Sequence, residues 1–140
     1  MKRCLLDTGA VIAFFDAADA EHGRVVRWLE SFRGEFITTG AVITEAFYYL
    51  GPEVDAVNAL VEFLLQSGLR RLDCFTPEAM HRAATLMRKY VDTPMDFTDA
   101  SLVWAAEETQ TGEILTLDQR GFRTFRYARN RSFRLSLQDG

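Results

Sequence analysis

Residues 3–15 of the chain are RCLLDTGAVIAFF, a short apolar run, one acid and a second apolar run. The run from Arg3 to Leu6 is typical of a buried β-strand, and residues 8–15 continue as a helix. Gly9 eases the tight turn between the two, because glycine adopts backbone conformations that other residues avoid. The sequence therefore predicts a strand that ends at Asp7 and a helix directly behind it.

The rest of the chain repeats this alternation of strands and helices. Helical spacing and end signals, among them Thr76 as an N-cap, predict helices over 20–32, 41–50, 53–66, 77–90 and 97–109. Apolar runs predict strands over 35–38, 69–75 and 113–117, and a fifth strand within 122–127. Such alternation is typical of a parallel sheet covered by helices. We therefore predict an α/β fold, a three-layer α/β/α sandwich around about five parallel strands, in one domain spanning residues 1–140.

The composition is that of an ordinary globular domain. Of 140 residues, 48% are hydrophobic and 26% are charged, and 11 phenylalanines exclude a disordered chain. No segment approaches the ~20 apolar residues that a membrane-spanning helix needs. The apolar run behind Lys2 and Arg3 is too short for a signal peptide. We expect a cytoplasmic protein in which Cys4 and Cys74 are buried thiols.

Two acids follow predicted strands. Asp7 comes directly after the first strand and Asp118 directly after the fourth. In open α/β sheets, sites form beyond the carboxyl ends of the strands, where the strand order reverses. If the two strands are neighbours at that point, the two carboxylates face one crevice. Glu45, in an otherwise largely apolar helix, and Asp99, in the first turn of another, are expected to join them.

Carboxylates gathered in one crevice predict a cation. Two bare charges ~4 Å apart repel by about 4 kcal/mol at an effective dielectric constant near 20. Either some of the groups stay protonated or a metal ion neutralises them. Oxygen ligands alone suit Mg²⁺ or Mn²⁺ better than zinc. Such ions activate water for attack on a phosphodiester.

Each acid also has a purely structural explanation, which the sequence leaves open. Asp96 has the position of an N-cap for the helix at 97–109. Asp99 would complement the dipole of that helix. Glu45 could be a surface acid, and Asp118 a turn residue. Asp7 is the hardest to explain without a function, because an acid that ends an apolar strand has little structural purpose.

Positive charge is concentrated near the end of the chain. The net charge is −4, yet six arginines fall between residues 120 and 134. A local basic patch can bind phosphate groups on an acidic protein. Arg120, Arg123 and Arg126 are the candidates for such contacts. A solvated edge and tail explain the same charges equally well.

Taken in order, the acidic segments resemble the motifs of a known family. They are Leu5-Leu6-Asp7-Thr8, Thr44-Glu45, Pro94-Met95-Asp96-Phe97-Thr98-Asp99-Ala100-Ser101 and Ile114-Leu115-Thr116-Leu117-Asp118. This order is similar to that of PIN domains, and in particular of VapC-type toxins of bacterial and archaeal toxin–antitoxin pairs. The resemblance extends from Leu5 to about Arg126.

The resemblance implies a magnesium- or manganese-dependent endoribonuclease. By position, the metal-binding acids would be Asp7, Glu45, Asp99 and Asp118, with Asp96 as an extra acid. Small hydroxylic residues near the site would be Thr8 and Thr116. The resemblance also implies a homodimer and inhibition by an antitoxin that inserts a peptide beside the site. One position departs from the pattern, because many relatives have an acid where this chain has Gly121.

Other functions remain open at this stage. A housekeeping PIN nuclease that processes RNA would use the same chemistry. A phosphatase of the haloacid-dehalogenase type also has an acid after its first strand, but it needs Asp-x-Asp where this chain has Asp7-Thr8-Gly9. A non-catalytic interaction module would keep the fold without the activity, and the complete set of acids argues against it.

Overall fold

The computed structural model describes residues 1–139. The helices are α1 (Thr8–Phe15), α2 (His22–Ser31), α3 (Gly40–Leu50), α4 (Val54–Gln66), α5 (Pro77–Lys89), α6 (Phe97–Thr109), α7 (Gln119–Thr124) and α8 (Ser136–Asp139). The strands are β1 (Lys2–Leu6), β2 (Gly34–Thr39), β3 (Arg70–Leu72), β4 (Glu113–Leu115), β5 (Arg126–Tyr127), β6 (Arg131–Ser132) and β7 (Arg134–Leu135). The predicted alternation of strands and helices is confirmed, including the helix that begins directly behind Asp7.

Five strands form one parallel sheet in the order β3-β2-β1-β4-β7. In the central strand, Leu5 pairs with Ile37 of β2 on one side and with Ile114 of β4 on the other. The chain builds β2 and β3 on one side of β1 and then crosses to β4 on the other side. The order therefore reverses between β1 and β4, which is where such sheets form their sites. The adjacency of these two strands, on which the expected meeting of Asp7 and Asp118 depends, is present.

Both faces of the sheet are covered. Consecutive strand residues point to opposite faces, and Leu5 and Leu6 are both buried. Helix α1 packs against α2 and α3, while α6 packs against α5 and against β1 and β2. The core runs through the sheet, with Ile114, Leu115 and Leu135 fully buried. This arrangement confirms the predicted α/β fold with helices around a parallel sheet.

The strand predicted within 122–127 is wrong as a member of this sheet. Residues 119–124 form α7, because the Asp118 side chain accepts a hydrogen bond from the Gly121 amide at 3.0 Å and caps the helix. Phe122 and Phe125, three residues apart, are both buried, which is the spacing of a helix face and not of a strand. Only the pair β5 and β6 is extended here, as a separate antiparallel ribbon. The fifth strand of the main sheet is β7.

Other predicted elements are shorter than expected. Strand β3 stops at Leu72, because the Asp73 carboxylate accepts a hydrogen bond from the Phe75 amide at 2.9 Å and starts a turn. Helix α2 begins at His22, two residues later than predicted. Cys4 and Cys74 are buried free thiols, as expected. Within residues 1–139 we find no helix with the length and apolar character that crossing a bilayer demands.

Candidate active site

Asp7 and Asp118 lie at the carboxyl ends of neighbouring strands. The Asp7 amide donates to the Leu115 carbonyl at 3.1 Å, which extends the β1–β4 pairing to the acid itself. Asp118 follows three residues after the last residue of β4 and is exposed, whereas only 8% of Asp7 is exposed. The two carboxylates interact electrostatically, and Asp96 adds a third negative charge near Asp7. The structure therefore places these two acids at the ends of neighbouring strands, which is the arrangement that the predicted crevice requires.

Two threonines hold the Asp7 carboxylate, one through its backbone amide and one through its hydroxyl. Its Oδ1 accepts from the Thr8 amide at 2.8 Å, and its Oδ2 accepts from the Thr116 hydroxyl at 2.6 Å. The same Thr116 hydroxyl accepts from the Asp118 amide at 2.9 Å. Thr116 is fully buried, so this hydroxyl joins the two strand-end acids in one chain of hydrogen bonds. The resemblance to PIN domains implied a small hydroxylic residue near the site at Thr116, and this contact is consistent with that expectation.

Burial dominates the electrostatics of Asp7. Loss of solvent is the main reason that the pKa of its carboxyl is raised from 3.8 to about 6, and the negative charges of Asp118 and Asp96 contribute in the same direction. The hydrogen bonds from Thr116 and from the Thr8 amide act in the opposite direction, because they stabilise the ionised form. The fold therefore holds Asp7 where burial and neighbouring acids make the ionised carboxylate unfavourable.

Asp96 and Asp99 form a reciprocal cap at the start of α6. The Asp99 amide donates to Asp96 Oδ1 at 2.8 Å, and the Asp96 amide donates to Asp99 Oδ2 at 3.2 Å. The predicted N-cap role of Asp96 is confirmed. Burial, followed by the charges of Asp96 and Asp7, raises the pKa of Asp99 to about 8. Capping and membership of the acidic site thus coexist in these two residues.

Glu45 reaches the site through Thr8. Its Oε1 accepts from the Thr8 hydroxyl at 2.8 Å, and the side chain is half-buried on α3. Thr8 itself binds Asp7 through its amide. The Glu45 side chain on α3 therefore points towards the acids at the strand ends and is not only a solvent-exposed acid. Glu45 is the member of the predicted set that touches the others only through an intermediate side chain.

The donor set suits a hard divalent cation, although the acids do not yet converge on one point. Every candidate ligand offers carboxylate oxygen, which Mg²⁺ and Mn²⁺ prefer. The ion pairs formed by residues 1–139 involve none of these acids, so their charges are not offset by arginine or lysine. Over the same residues, no three acidic, histidine or cysteine side chains are grouped tightly enough to hold a metal as they stand.

The C-terminal arginines do not form one patch. Arg123 pairs with Asp139 through two hydrogen bonds of 2.9 and 2.7 Å, and the Arg126 guanidinium donates to the carbonyls that end α7. Arg134 starts β7, at the end of the sheet opposite Asp7. In the described part of the chain, Arg120 on α7 is exposed and forms no ion pair. Of the three predicted phosphate contacts, Arg120 therefore has the most available guanidinium group.

Gly121 is matched to the way Asp118 folds over it. A Cβ atom at Gly121 would collide with Asp118 Oδ2 and lie 3.0 Å from Asp118 Cγ and from Phe125 Cε2. The capping geometry of Asp118 therefore depends on glycine at this position. At the position where many relatives have an acid, this chain therefore has a glycine that leaves room for the Asp118 side chain.

Two buried hydroxyls that the sequence did not single out connect the helices of the site. The Ser101 hydroxyl on α6 donates to the Thr98 carbonyl at 2.7 Å, and Thr39 at the start of α3 lies 2.8 Å from Ser101 Oγ. This contact ties the helix of Glu45 to the helix of Asp99. Thr39 directly before a helix is a readable N-cap signal. The role of Ser101 depends on a tertiary contact that no local pattern reveals.

Comparison with known proteins agrees with this geometry. The sequence profile of the PIN domain matches residues 4–126. The chain belongs to the PIN-domain family. This PIN-domain chain is 32% identical over 124 residues to Ribonuclease VapC26 of Mycobacterium tuberculosis, an alignment that covers 87% of the chain and 91% of that protein. The family predicted from the order of the acids is confirmed, and the haloacid-dehalogenase alternative is excluded with it.

Solved structures show the same fold at lower identity. VapC20 of Mycobacterium tuberculosis, described as a toxin that cleaves the sarcin–ricin loop, superposes with a TM-score of 0.75 at 20% identity over 82% of this chain and 89% of that one. A toxin–antitoxin complex from Klebsiella pneumoniae gives a TM-score of 0.66 at 15% identity over 87% and 92%. At these identities the likeness establishes the PIN fold of the chain.

Proposed function

We propose that this PIN-domain protein is a metal-dependent endoribonuclease that hydrolyses phosphodiester bonds of RNA as the toxin of a toxin–antitoxin pair. The observation that carries the proposal is Asp7, a buried carboxylate at the switch point of the sheet with other acids around it and no cationic partner. Such a group is costly unless a cation accompanies it. Similarity to a ribonuclease over nearly the whole chain supports RNA as the substrate.

The proposed metal ligands are Asp7, Glu45, Asp99 and Asp118, with Asp96 as an additional acid. A bound Mg²⁺ or Mn²⁺ ion would make a coordinated water more acidic and offset charge on the phosphate. Thr116 and Thr8 would orient the carboxylates of Asp7 and Glu45. The reaction is hydrolysis, in which the water oxygen bonds to phosphorus while one bridging P–O bond breaks and the leaving oxygen takes up a proton.

The substrate is held by positive charge near the acids. Arg120 lies on α7, which begins directly behind Asp118, so its guanidinium is the best placed to reach the RNA backbone. Arg123 and Arg126 would contribute mainly by fixing α7, since both are engaged within the protein. Binding through such contacts weakens as salt rises.

The biological role rests on the VapC relatives. A structure similar to this one was determined as a toxin–antitoxin complex, which supports an antitoxin as partner here. We further propose a homodimer, a single PIN-like domain over residues 1–140 and a place of action in the cytoplasm. A housekeeping RNA-processing nuclease would use the same site. Growth arrest on expression, relieved by a small protein from a neighbouring gene, would favour the toxin over that alternative.

The decisive experiment is RNA cleavage by the purified protein. A pool of structured and single-stranded RNA is incubated with Mg²⁺, Mn²⁺ or EDTA, and wild type is compared with Asp7→Asn. Asp16→Asn is the matched control, because Asp16 lies at the other end of α1 and its carboxylate accepts only from the nearby Ala18 amide. We expect metal-dependent cleavage that Asp7→Asn abolishes and Asp16→Asn retains.

A calorimetric Mn²⁺ titration of the same three proteins tests the metal site without relying on turnover. We expect binding to wild type and to Asp16→Asn, and weaker binding to Asp7→Asn. Cleavage that survives in EDTA, or that is equal in the Asp7→Asn and Asp16→Asn variants, would remove the proposal.

A further inference from the structure

An open cleft lies beside the acids, between the end of α5 and the start of α6. Its lining residues are Met87, Tyr90, Val91, Pro94, Met95, Asp96 and Asp99, and its volume is about 390 Å³. This volume is within the range of ~300–1,000 Å³ that is common for ligand pockets. We refer to it as the α5–α6 cleft. It is continuous with the candidate active site, because Asp96 and Asp99 belong to both.

The surface of the α5–α6 cleft is mostly apolar. Val91 is 75% exposed and Met87 is 37% exposed, whereas Met95 forms a buried floor. A single exposed apolar side chain is ordinary in a soluble protein. Here two of them border one depression that ends at acidic residues. Folding alone gives no reason to bring this apolar surface next to a charged site.

The aromatic wall of the α5–α6 cleft is fixed in place. The Tyr90 hydroxyl accepts a hydrogen bond from the Arg126 amide at 2.9 Å, and its ring packs edge-on against Phe125 with centroids 5.1 Å apart. The Thr93 amide donates to the Tyr90 carbonyl at 3.1 Å and closes the turn that leads to the cleft. A wall held in this way can bind a flat ligand without first being ordered.

The charges around the α5–α6 cleft restrict what can fill it. The carboxylates of Asp96 and Asp99 repel a phosphate that enters without a metal, and the apolar floor offers no partner to a ribose hydroxyl. Lys89 Nζ lies over the Tyr90 ring, 5.3 Å from its centre, and supplies positive charge next to the cleft. A flat, neutral group attached to phosphates on either side fits this combination.

We propose that the α5–α6 cleft is a base subsite that receives one unpaired nucleobase of the RNA next to the bond that is cleaved. The inference rests on the proposed ribonuclease function and extends it to how the substrate is selected. Proteins recognise single-stranded RNA by placing unpaired bases against aromatic and apolar side chains. With the base in the cleft, its phosphate on one side lies at the acids and the next phosphate lies near Lys89.

A second copy of the chain is a poorer occupant. Its approach would bring two acidic sites together, since Asp96 and Asp99 line the cleft in each copy. The continuity of the cleft with the acids, by contrast, is what a substrate subsite requires.

The test pairs cleft variants with an altered substrate. Val91→Ser and Met87→Ser remove apolar surface from the cleft. The matched controls are Val54→Ser, from a valine that is 69% exposed on α4, and Met80→Ser, from an exposed methionine two turns earlier on α5. All four side chains are at the surface, so folding is not at risk. The substrate is a short RNA whose cleaved bond has been mapped, with an abasic nucleotide placed in turn on each side.

Two readouts separate this proposal from the ribonuclease proposal. Fluorescence anisotropy with Mn²⁺ and a labelled RNA whose mapped bond is replaced by a non-hydrolysable linkage measures binding without cleavage, and KM and kcat are measured with Mn²⁺ on the cleavable RNA. For wild type, we expect one abasic position to weaken binding about tenfold, which corresponds to the ~1–3 kcal/mol typical of base stacking. In Val91→Ser and Met87→Ser the intact RNA should already bind more weakly, and the abasic change should add little.

The outcomes decide the matter in either direction. Loss of the abasic effect in the cleft variants, with the effect kept in Val54→Ser and Met80→Ser, establishes the subsite. An abasic effect of equal size in all five proteins overturns it. The subsite is also overturned if Val91→Ser changes the oligomeric mass in sedimentation equilibrium but does not change RNA binding. Absence of cleavage by wild type would instead count against the ribonuclease proposal.

Discussion

Replacing Thr116 by valine removes one hydroxyl that serves two candidate ligands. The substitution keeps the shape of the side chain, so the buried core around it is filled as before. It deletes the hydrogen bond of 2.6 Å to Asp7 Oδ2 and the acceptor, 2.9 Å away, of the Asp118 amide. Because Thr116 is fully buried, water does not reach the two groups to replace these contacts.

The expected loss follows from these two contacts. A hydrogen bond to an ionised group contributes ~1.5–3 kcal/mol, and a buried donor left without a partner costs ~1–3 kcal/mol. We expect a destabilisation of about 3 kcal/mol near pH 7, or roughly 10 °C in Tm for a chain of this size. The pKa of Asp7 should also rise above its present value of about 6, because the Thr116 hydroxyl lowers it. Metal binding at neutral pH should therefore weaken.

The assay is thermal unfolding with and without Mn²⁺, followed by a calorimetric Mn²⁺ titration. Thr109→Val is the control, since this buried threonine also donates to one group, the Ala105 carbonyl at 2.7 Å, but lies at the far end of α6. We expect Thr109→Val to lose at most about 1 kcal/mol and to bind Mn²⁺ as wild type does. Equal loss of stability and equal Mn²⁺ affinity in the two variants would refute the role given to Thr116.

Three further changes test other contacts. Because the pKa of Asp7 is raised from 3.8 to about 6, its ionisation should cost the metal-free protein about 2 kcal/mol as pH rises from 4 to 7. Urea unfolding should show a loss of stability with rising pH, and Asp7→Asn should reduce the slope to the part that belongs to Asp99, whose pKa is also raised. Gly121→Ala should displace Asp118 and weaken Mn²⁺-dependent cleavage about tenfold, and unchanged Mn²⁺ affinity would contradict this. Glu107→Gln weakens its bond to the Ala128 amide and should lower Tm without altering Mn²⁺ affinity.

The sequence was sufficient for the parts of the fold that local patterns encode. The apolar run that ends at Asp7 and the apolar strand before Asp118 are short, buried and flanked by helices with clear end signals. That these two strands are neighbours was an assumption, made because sites form where strand order reverses, and the sheet order bears it out. The N-cap at Asp96 was readable for the same reason, because a cap is a contact between residues three apart.

The C-terminal quarter was not predictable in this way. Residues 119–124 have apolar and aromatic side chains that a strand and a helix use equally well, and the choice is made by the Asp118 cap and by packing of Phe122 and Phe125. The ribbon of β5 and β6 turns through Ala128 and Asn130, both with positive φ, where glycine would have marked a turn. The neutralisation of Arg123 by Asp139 also depends on a tertiary contact across 16 residues.

The arrangement of the acids implies that stability and activity are coupled through the metal. Burial raises the pKa of Asp7 and Asp99. At neutral pH the metal-free protein therefore bears the free-energy cost of a buried, ionised Asp7 and of an Asp99 that stays largely protonated. A cation bound to the folded state alone stabilises it in proportion to the logarithm of its concentration. The carboxylates that destabilise the metal-free protein are then the groups whose negative charge contributes most to the affinity for the ion. Any variant that relieves this cost, as Asp7→Asn does, should stabilise the metal-free protein while it removes the proposed activity.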